Sequence, residues 1–231
     1  MPDIGPLLAS GRDCDIFEYG DGRVLRRSRS PRSLAGEAAV MDHVRLHRYP
    51  APAVHEVSED GREIVMDRVE GATMGADLAR RPWMLRPHAA TLADLHDRLH
   101  AIPALPGSQP APGGGDRQIH LDLHPLNVLM SPAGPVVIDW TNASRGQAAV
   151  DVASTWIIMG SSEVDGPLTM RVMARALLGL FVRAFLSHVD RPAAVARLRT
   201  VAEHRVCDRN VRPHEVEAIW RLVDRAEAGG R

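Results

Sequence analysis

Short apolar runs broken by turn residues fill the first third of the chain, and apolar residues at helical spacing fill most of the rest. Residues 16–19 and 24–27 flank Gly20-Asp21-Gly22, a turn that tolerates positive φ, and together predict a hairpin. Residues 33–49 predict a helix with Ala38, Met41, Val44 and Leu46 on its apolar side, stopped before Pro50 and Pro52. Residues 54–57 and 63–66 read as two more strands joined by Glu59-Asp60-Gly61. Past Asp67 the period changes. Residues 69–75 form a turn-rich connector, residues 87–99 carry Leu92, Leu95 and Leu99 at helical spacing, and residues 103–115 are a Pro- and Gly-rich loop. Residues 150–159, 168–189, 193–207 and 214–228 predict four further helices. There is no internal repeat. The expected class is α+β: a small antiparallel β-rich lobe over residues 1–68, then a larger, mainly helical lobe over residues 69–231.

One segment carries chemistry. Residues 120–127 read His-Leu-Asp-Leu-His-Pro-Leu-Asn, and Asp139 closes the apolar run Val136-Val137-Ile138. Phosphoryl transfer from a nucleotide needs a carboxylate to accept the proton of an attacking hydroxyl. It also needs hard oxygen ligands for Mg²⁺ on the phosphates. Asp122 suits the first role, and Asn127 with Asp139 the second. The blander alternatives are a turn-capping loop Asp at 122 and a helix cap at 139. The string H-x-D-x-H also permits a zinc reading, but no further His or Cys stands nearby at ligand spacing. His120 is expected to brace the loop, and His124 to line it, with a phosphate or substrate contact. Asp151 opens a predicted helix, where it either caps that helix or bonds the backbone of the 120–127 loop.

Composition changes one part of this picture. The chain has no lysine, so a cationic phosphate clamp must be arginine, a planar fork that never titrates. Arg26 on the second hairpin strand, paired with Glu37 on the following helix, is the expected clamp; strand alternation leaves Arg27 as its rival. The turn Ser10-Gly11-Arg12-Asp13 is expected to lie over phosphates through its backbone N–H groups. The backbone of Met66, Asp67 and Val69 is expected to meet a nucleobase edge. A net charge of −1 gives no electrostatic footprint for nucleic acid or an anionic membrane. The longest apolar candidate, residues 177–186, is interrupted by Arg183 and is far short of the roughly 20 residues of a membrane span. Acidic Asp3 stands where a secretory leader would carry basic residues, so a cytoplasmic location with Cys14 and Cys207 reduced is expected.

Residues 120–129 and the Val-Ile-Asp-Trp of 137–140 resemble the catalytic motif and metal-binding Asp of the aminoglycoside phosphotransferase and choline kinase family. The likeness extends to the hairpin ending Val-Leu-Arg-Arg and to Glu37. It implies a protein-kinase-like two-lobed fold with a nucleotide in the cleft, and ATP- or GTP-dependent, Mg-assisted phosphorylation of a hydroxyl on a small molecule. It also implies Asp122 as base, Asn127 and Asp139 as metal ligands, and Arg26 in place of the usual Lys with Glu37 as partner. His124 and Trp140 fit this group better than the protein kinases. Three departures stand out: no clamp Lys, a reduced glycine loop and a short chain. The alternative is a nucleotide-binding, pseudokinase-like module without catalysis. The acceptor and the oligomeric state are not legible, although Trp156 and Trp220 could wall a ring or a quaternary amine.

Overall fold

The computed structural model describes residues 4–11, 13–20, 22–162, 167–208 and 211–229; Asp3, Arg12 and Asp21 lie outside these. The chain forms two compact units: Met1–Thr73 with Asn127–Ala143, and Met74–Leu126 with Ser144–Arg231. The first change of unit therefore falls a few residues after the expected break at 68/69, and residues 127–143 return to the first unit.

The first unit is built on an antiparallel five-stranded sheet in the order β1-β2-β3-β5-β4. Its strands are β1 (Ile4–Ser10), β2 (Cys14–Tyr19), β3 (Arg23–Ser28), β4 (Val54–Val57) and β5 (Glu63–Asp67). The expected hairpin is β2–β3, with Phe17 opposite Leu25 and Leu25 opposite Val65 on β5. On that face Tyr19, Leu25 and Val65 form a buried cluster with Phe17 packed against it. β1 was not foreseen, because Gly5 and Pro6 weaken its strand pattern.

Helix α1 (Ala35–Leu46) buries Glu37, Ala38, Val40, Met41 and Val44. It ends before residue 49, where the sequence pattern placed its end. Arg48 adopts a left-handed φ of 60°, its N–H meets Arg45 O at 2.8 Å, and Tyr49 N–H meets Val44 O at 3.0 Å. This paired closure is the common αL helix stop, here with Arg where glycine is usual. A second sheet orders β6 (Ala72–Thr73), β8 (Val128–Ser131) and β9 (Gly134–Val137) as β6-β8-β9. That pairing to β6 draws residues 127–143 into the first unit.

The second unit is helical: α2 (Met74–Arg80), α3 (Leu85–His100), α4 (Ala148–Ser161), α5 (Leu168–Leu186), α6 (Arg191–Val206) and α7 (Pro213–Ala228). A two-stranded ribbon joins β7 (Arg117–Ile119) to β10 (Ser144–Gly146). α2, β7 and β10 are too short to stand out from turn signals in the sequence. α4 is apolar around most of its circumference and nearly all of it is buried, the mark of a central helix. It packs against α3, α5, α6 and α7. Among the described residues no helix is long and apolar enough to cross a membrane.

Candidate active site

In the first unit, β3 alternation decides between the two arginines. Arg27 turns outward, with its Nε 2.6 Å from Glu63 Oε1 and its guanidinium over the Phe17 ring. Arg26 turns inward and is buried. Its Nη1 lies 3.2 Å from Glu37 Oε1, and its Nη2 lies 3.0 Å from Asp139 Oδ1 and donates to Thr141 Oγ1 at 2.7 Å. Glu37 is the enclosed carboxylate, with a side chain 4% exposed; Asp139, at 41%, is the one that faces outward. Burial acts to lower the Arg26 pKa, but the charges of Glu37 and Asp139 outweigh it and raise the value. Burial pushes the Glu37 carboxyl up against the opposing charge of Arg26, and the neighbouring Asp139 carboxylate pushes the same way. Among the described residues Arg26 Nε is buried without a hydrogen-bond partner, a cost of about 1–3 kcal/mol.

Asp139 follows β9 in a left-handed conformation, φ 63° and ψ 66°. Aspartate enters that region more readily than most residues, yet the conformation persists only where neighbours enforce it. Here Ile138 N–H bonds Asn127 O at 3.0 Å on one side. On the other, the buried Trp140 bonds Val137 O through Nε1 at 3.1 Å and meets Tyr49 edge-to-face. The first of these bonds also sets Asn127 beside the residue preceding Asp139. Asp139 occupies the N-cap position of a 3₁₀ turn over Trp140–Asn142, but its side chain makes no capping bond.

In the second unit the 120–126 loop is braced by α4. Asp151 is fully buried, and its carboxylate accepts from Leu121 N–H at 2.6 Å, His120 N–H at 3.2 Å and His100 Nε2 at 2.9 Å. The N-cap of α4 is Gln147, so Asp151 bonds the loop rather than capping its helix. Burial would raise the Asp151 pKa; the bond from His100 and the neighbouring His96 and His120 instead hold it well below the usual carboxylate range. One turn on, Ser154 donates to Leu121 O at 2.6 Å and Thr155 to Leu123 O at 2.8 Å. Leu121 itself sits at φ 63°, unfavourable for leucine, with both its N–H and its C=O pinned by α4. His120 is buried and its Nδ1 accepts Asp122 N–H at 3.3 Å. His124 Nδ1 accepts Leu126 N–H at 3.3 Å, which leaves its Nε2 as the N–H donor, 3.5 Å from Asp122 Oδ1.

The remaining expected residues hold the first unit together. Ser10 bonds Asp15 Oδ1 at 2.7 Å, and Gly11 N–H closes its turn on Cys14 O at 2.8 Å. Asp67 carries Ala53 N–H and His55 Nε2 on its carboxylate. Met66 is opposite Val24 and Val54 in the sheet, and Val69 lies half-buried beyond it. Trp156 is buried on α4 with the Arg191 guanidinium over its ring, and Trp220 is faced by Arg199. Among the described residues no group of three or more His, Cys, Asp or Glu is disposed to hold a metal. Sequence reasoning missed Thr141, Ser154, Thr155 and His100. The available signal was spacing: 154 and 155 stand three and four residues after Asp151, on its helix face.

The family model described as "Phosphotransferase enzyme family" matches residues 98–188, the stretch from the last turn of α3 to just past the end of α5. Serine/threonine-protein kinase PknL of Mycobacterium tuberculosis is 32% identical over 129 residues, 55% of this chain and 30% of that protein. The chain thus spans under a third of the length of the curated relatives it matches. Solved structures with the same fold include a thermostable mutant of aminoglycoside phosphotransferase APH(4)-Ia in ternary complex with AMP-PNP and hygromycin B. It aligns with TM-score 0.58 and 16% identity over 98% of this chain and 94% of that one. A choline/ethanolamine kinase family protein from Mesorhizobium loti aligns at 0.54 and 14% over 97% and 87%. Amicoumacin kinase hAmiN, in complex with AMP-PNP, Ca²⁺ and Ami, aligns at 0.54 and 13% over 98% and 88%.

The fold is α+β and protein-kinase-like. Within it, this chain resembles the aminoglycoside phosphotransferases and choline/ethanolamine kinases in fold, and the phosphotransferase family model matches it over a stretch that includes the 120–126 loop.

Proposed function

We propose that the chain is a nucleotide-dependent, Mg-assisted O-phosphotransferase acting on a hydroxyl of a small molecule, working in the cytoplasm. Residues 1–68 serve chiefly the nucleotide, and residues 69–231 chiefly catalysis and the acceptor. The observation that carries the reading is the pair of braced carboxylates. Asp139, on a left-handed backbone, has its carboxylate gripped by an arginine fork, and Asp122 sits on a loop fixed by Asp151.

Asp122 accepts the proton of the attacking hydroxyl, with His124 Nε2–H beside it to orient the carboxylate. Asn127 and Asp139 offer one amide and one carboxylate oxygen, a hard, sparse donor set that fits Mg²⁺ on a nucleotide. Bound there, Mg²⁺ offsets charge on the phosphates. Arg26 adds a permanent positive charge toward those phosphates, and Glu37 fixes its direction. Ser10 and Gly11 support the turn near the phosphates, and the backbone of Met66, Asp67 and Val69 meets the base of ATP or GTP. Catalysis on this scheme is positioning and electrostatics.

The test is nucleotide consumption across a panel of hydroxylated compounds, aminoglycosides and choline-like amines included, with product identified by mass. Asp122→Asn is expected to keep nucleotide binding within about twofold and to lose at least about a hundredfold in turnover. Full turnover by that variant would refute the base assignment. The match to a serine/threonine kinase favours a second reading, phosphorylation of protein, so peptide and protein substrates belong in the panel. Stabilisation by nucleotide with no product from any acceptor would favour a non-catalytic sensor.

A further inference from the structure

The geometry points to Thr141 as a positioning residue that couples the arginine clamp to the metal ligand; the inference rests on the phosphotransferase reading. Thr141 stands two residues after Asp139, on the 3₁₀ turn Trp140–Asn142. Its main chain is anchored separately, because Arg32 donates to Thr141 O at 2.7 Å. Its hydroxyl accepts from Arg26 Nη2 at 2.7 Å and has one proton of its own to give. Two carboxylates are within reach of that proton: Asp139 Oδ1 at 2.8 Å and Glu37 Oε2 at 3.3 Å.

Every charged member of the network thus touches one neutral hydroxyl. Asp139 Oδ1 takes the shorter bond while Arg26 is its counter-charge. A divalent cation drawn to the same carboxylate competes with Arg26 and Thr141 for that oxygen. The hydroxyl can then turn its proton to Glu37 while still accepting from Arg26, with no heavy atom displaced. Arg26 keeps its orientation as Asp139 changes partner. Valine has the shape of threonine but neither accepts nor donates. Without the hydroxyl, Arg26 Nη2 loses its shorter bond and leans on Asp139 Oδ1, so a cation that binds that carboxylate competes directly with the fork.

The experiment measures Mn²⁺ binding by electron paramagnetic resonance, with and without AMP-PNP, on the intact chain carrying Thr141→Val or Thr141→Ser. Melting curves confirm folding, and KM and kcat are measured where an acceptor is found. Thr141→Val is expected to weaken Mn²⁺·AMP-PNP binding about tenfold, the factor one charge-assisted hydrogen bond supplies. The deficit should fall on KM for nucleotide before kcat, and Thr141→Ser should restore affinity to within about twofold. Equal affinity in Thr141→Val and the parent, or failure of Ser to rescue, overturns the inference and leaves the functional reading intact. Weakened, Ser-rescued binding with no acceptor turned over sustains the inference while removing phosphotransfer. No Mn²⁺·AMP-PNP binding by the parent overturns both.

Discussion

Replacing Asp151 by Asn tests whether a single buried carboxylate holds the 120–126 loop in its working shape. The carboxylate accepts from two backbone N–H groups, Leu121 and His120, and from His100. Asparagine keeps the shape and one acceptor oxygen. His120 N–H and His100 Nε2 share Oδ2 while Leu121 N–H takes Oδ1, so an NH₂ in the Oδ2 position sets both His120 N–H and His100 Nε2 against a donor. Hydrogen bonds to a charged group contribute about 1.5–3 kcal/mol each, and losing two of the three gives about 3–6 kcal/mol. Removing the desolvation cost of a fully buried charge returns part of this, for a net loss of about 2–4 kcal/mol. In addition Leu121, at φ 63°, loses one of the two anchors that keep it left-handed. The assay is urea unfolding followed by near-UV circular dichroism and by fluorescence, since Trp156 lies on the same helix. At about 2–4 °C per kcal/mol for a chain of this size, the thermal midpoint should fall by about 5–15 °C. Turnover should fall beyond what the folded fraction explains, because Asp122 follows Leu121 directly. A variant that unfolds within about 0.5 kcal/mol of the parent would show that α4 does not brace the loop in the way described.

Two further outcomes are expected. Burial depresses the His96 pKa to about 4 from 6.5, so the folded chain binds fewer protons than the unfolded one between those values. Stability is therefore full above pH 6.5 and falls as pH drops toward 4, by about 3 kcal/mol at the bottom of the window; His96→Gln should flatten that slope in urea titrations at stepped pH. At the αL stop of α1, Arg48→Gly should raise stability by about 0.5–1 kcal/mol, since glycine meets φ 60° without steric cost; an unchanged or lower unfolding midpoint would show that the Arg48 side chain contributes more than the conformation costs.

Much of this was legible in the residues, and the reasons differ by element. The β2–β3 hairpin, α1, α3 and the four later helices carry strong periodicity, so their existence was plain and only their ends shifted. α1 stops early because the stop is made by Arg48, a residue that carries no turn signal. The motif named Asp122, Asn127 and Asp139, but it could not name their supports, which come from distant parts of the chain. Glu37 and Arg26 meet the 139–141 turn across more than a hundred residues of sequence, and His100 meets Asp151 across 51. Such contacts follow from packing. Alternation left Arg26 and Arg27 open because it does not say which sheet face α1 covers.

The two braces are built from different chemistry, and that difference has a consequence. In the first unit the holding charge is Arg26, whose pKa is raised further by its two carboxylates, so its charge is constant at any working pH. Its planar fork reaches Glu37, Asp139 and Thr141 at once, which one ammonium could not do in the same geometry. In the second unit the holding charge is Asp151, embedded among histidines, and burial keeps His96 neutral. Both groups have depressed folded pKa values, so protons favour the unfolded chain at each. Acid therefore acts on the loop that carries Asp122 while Arg26 retains its charge.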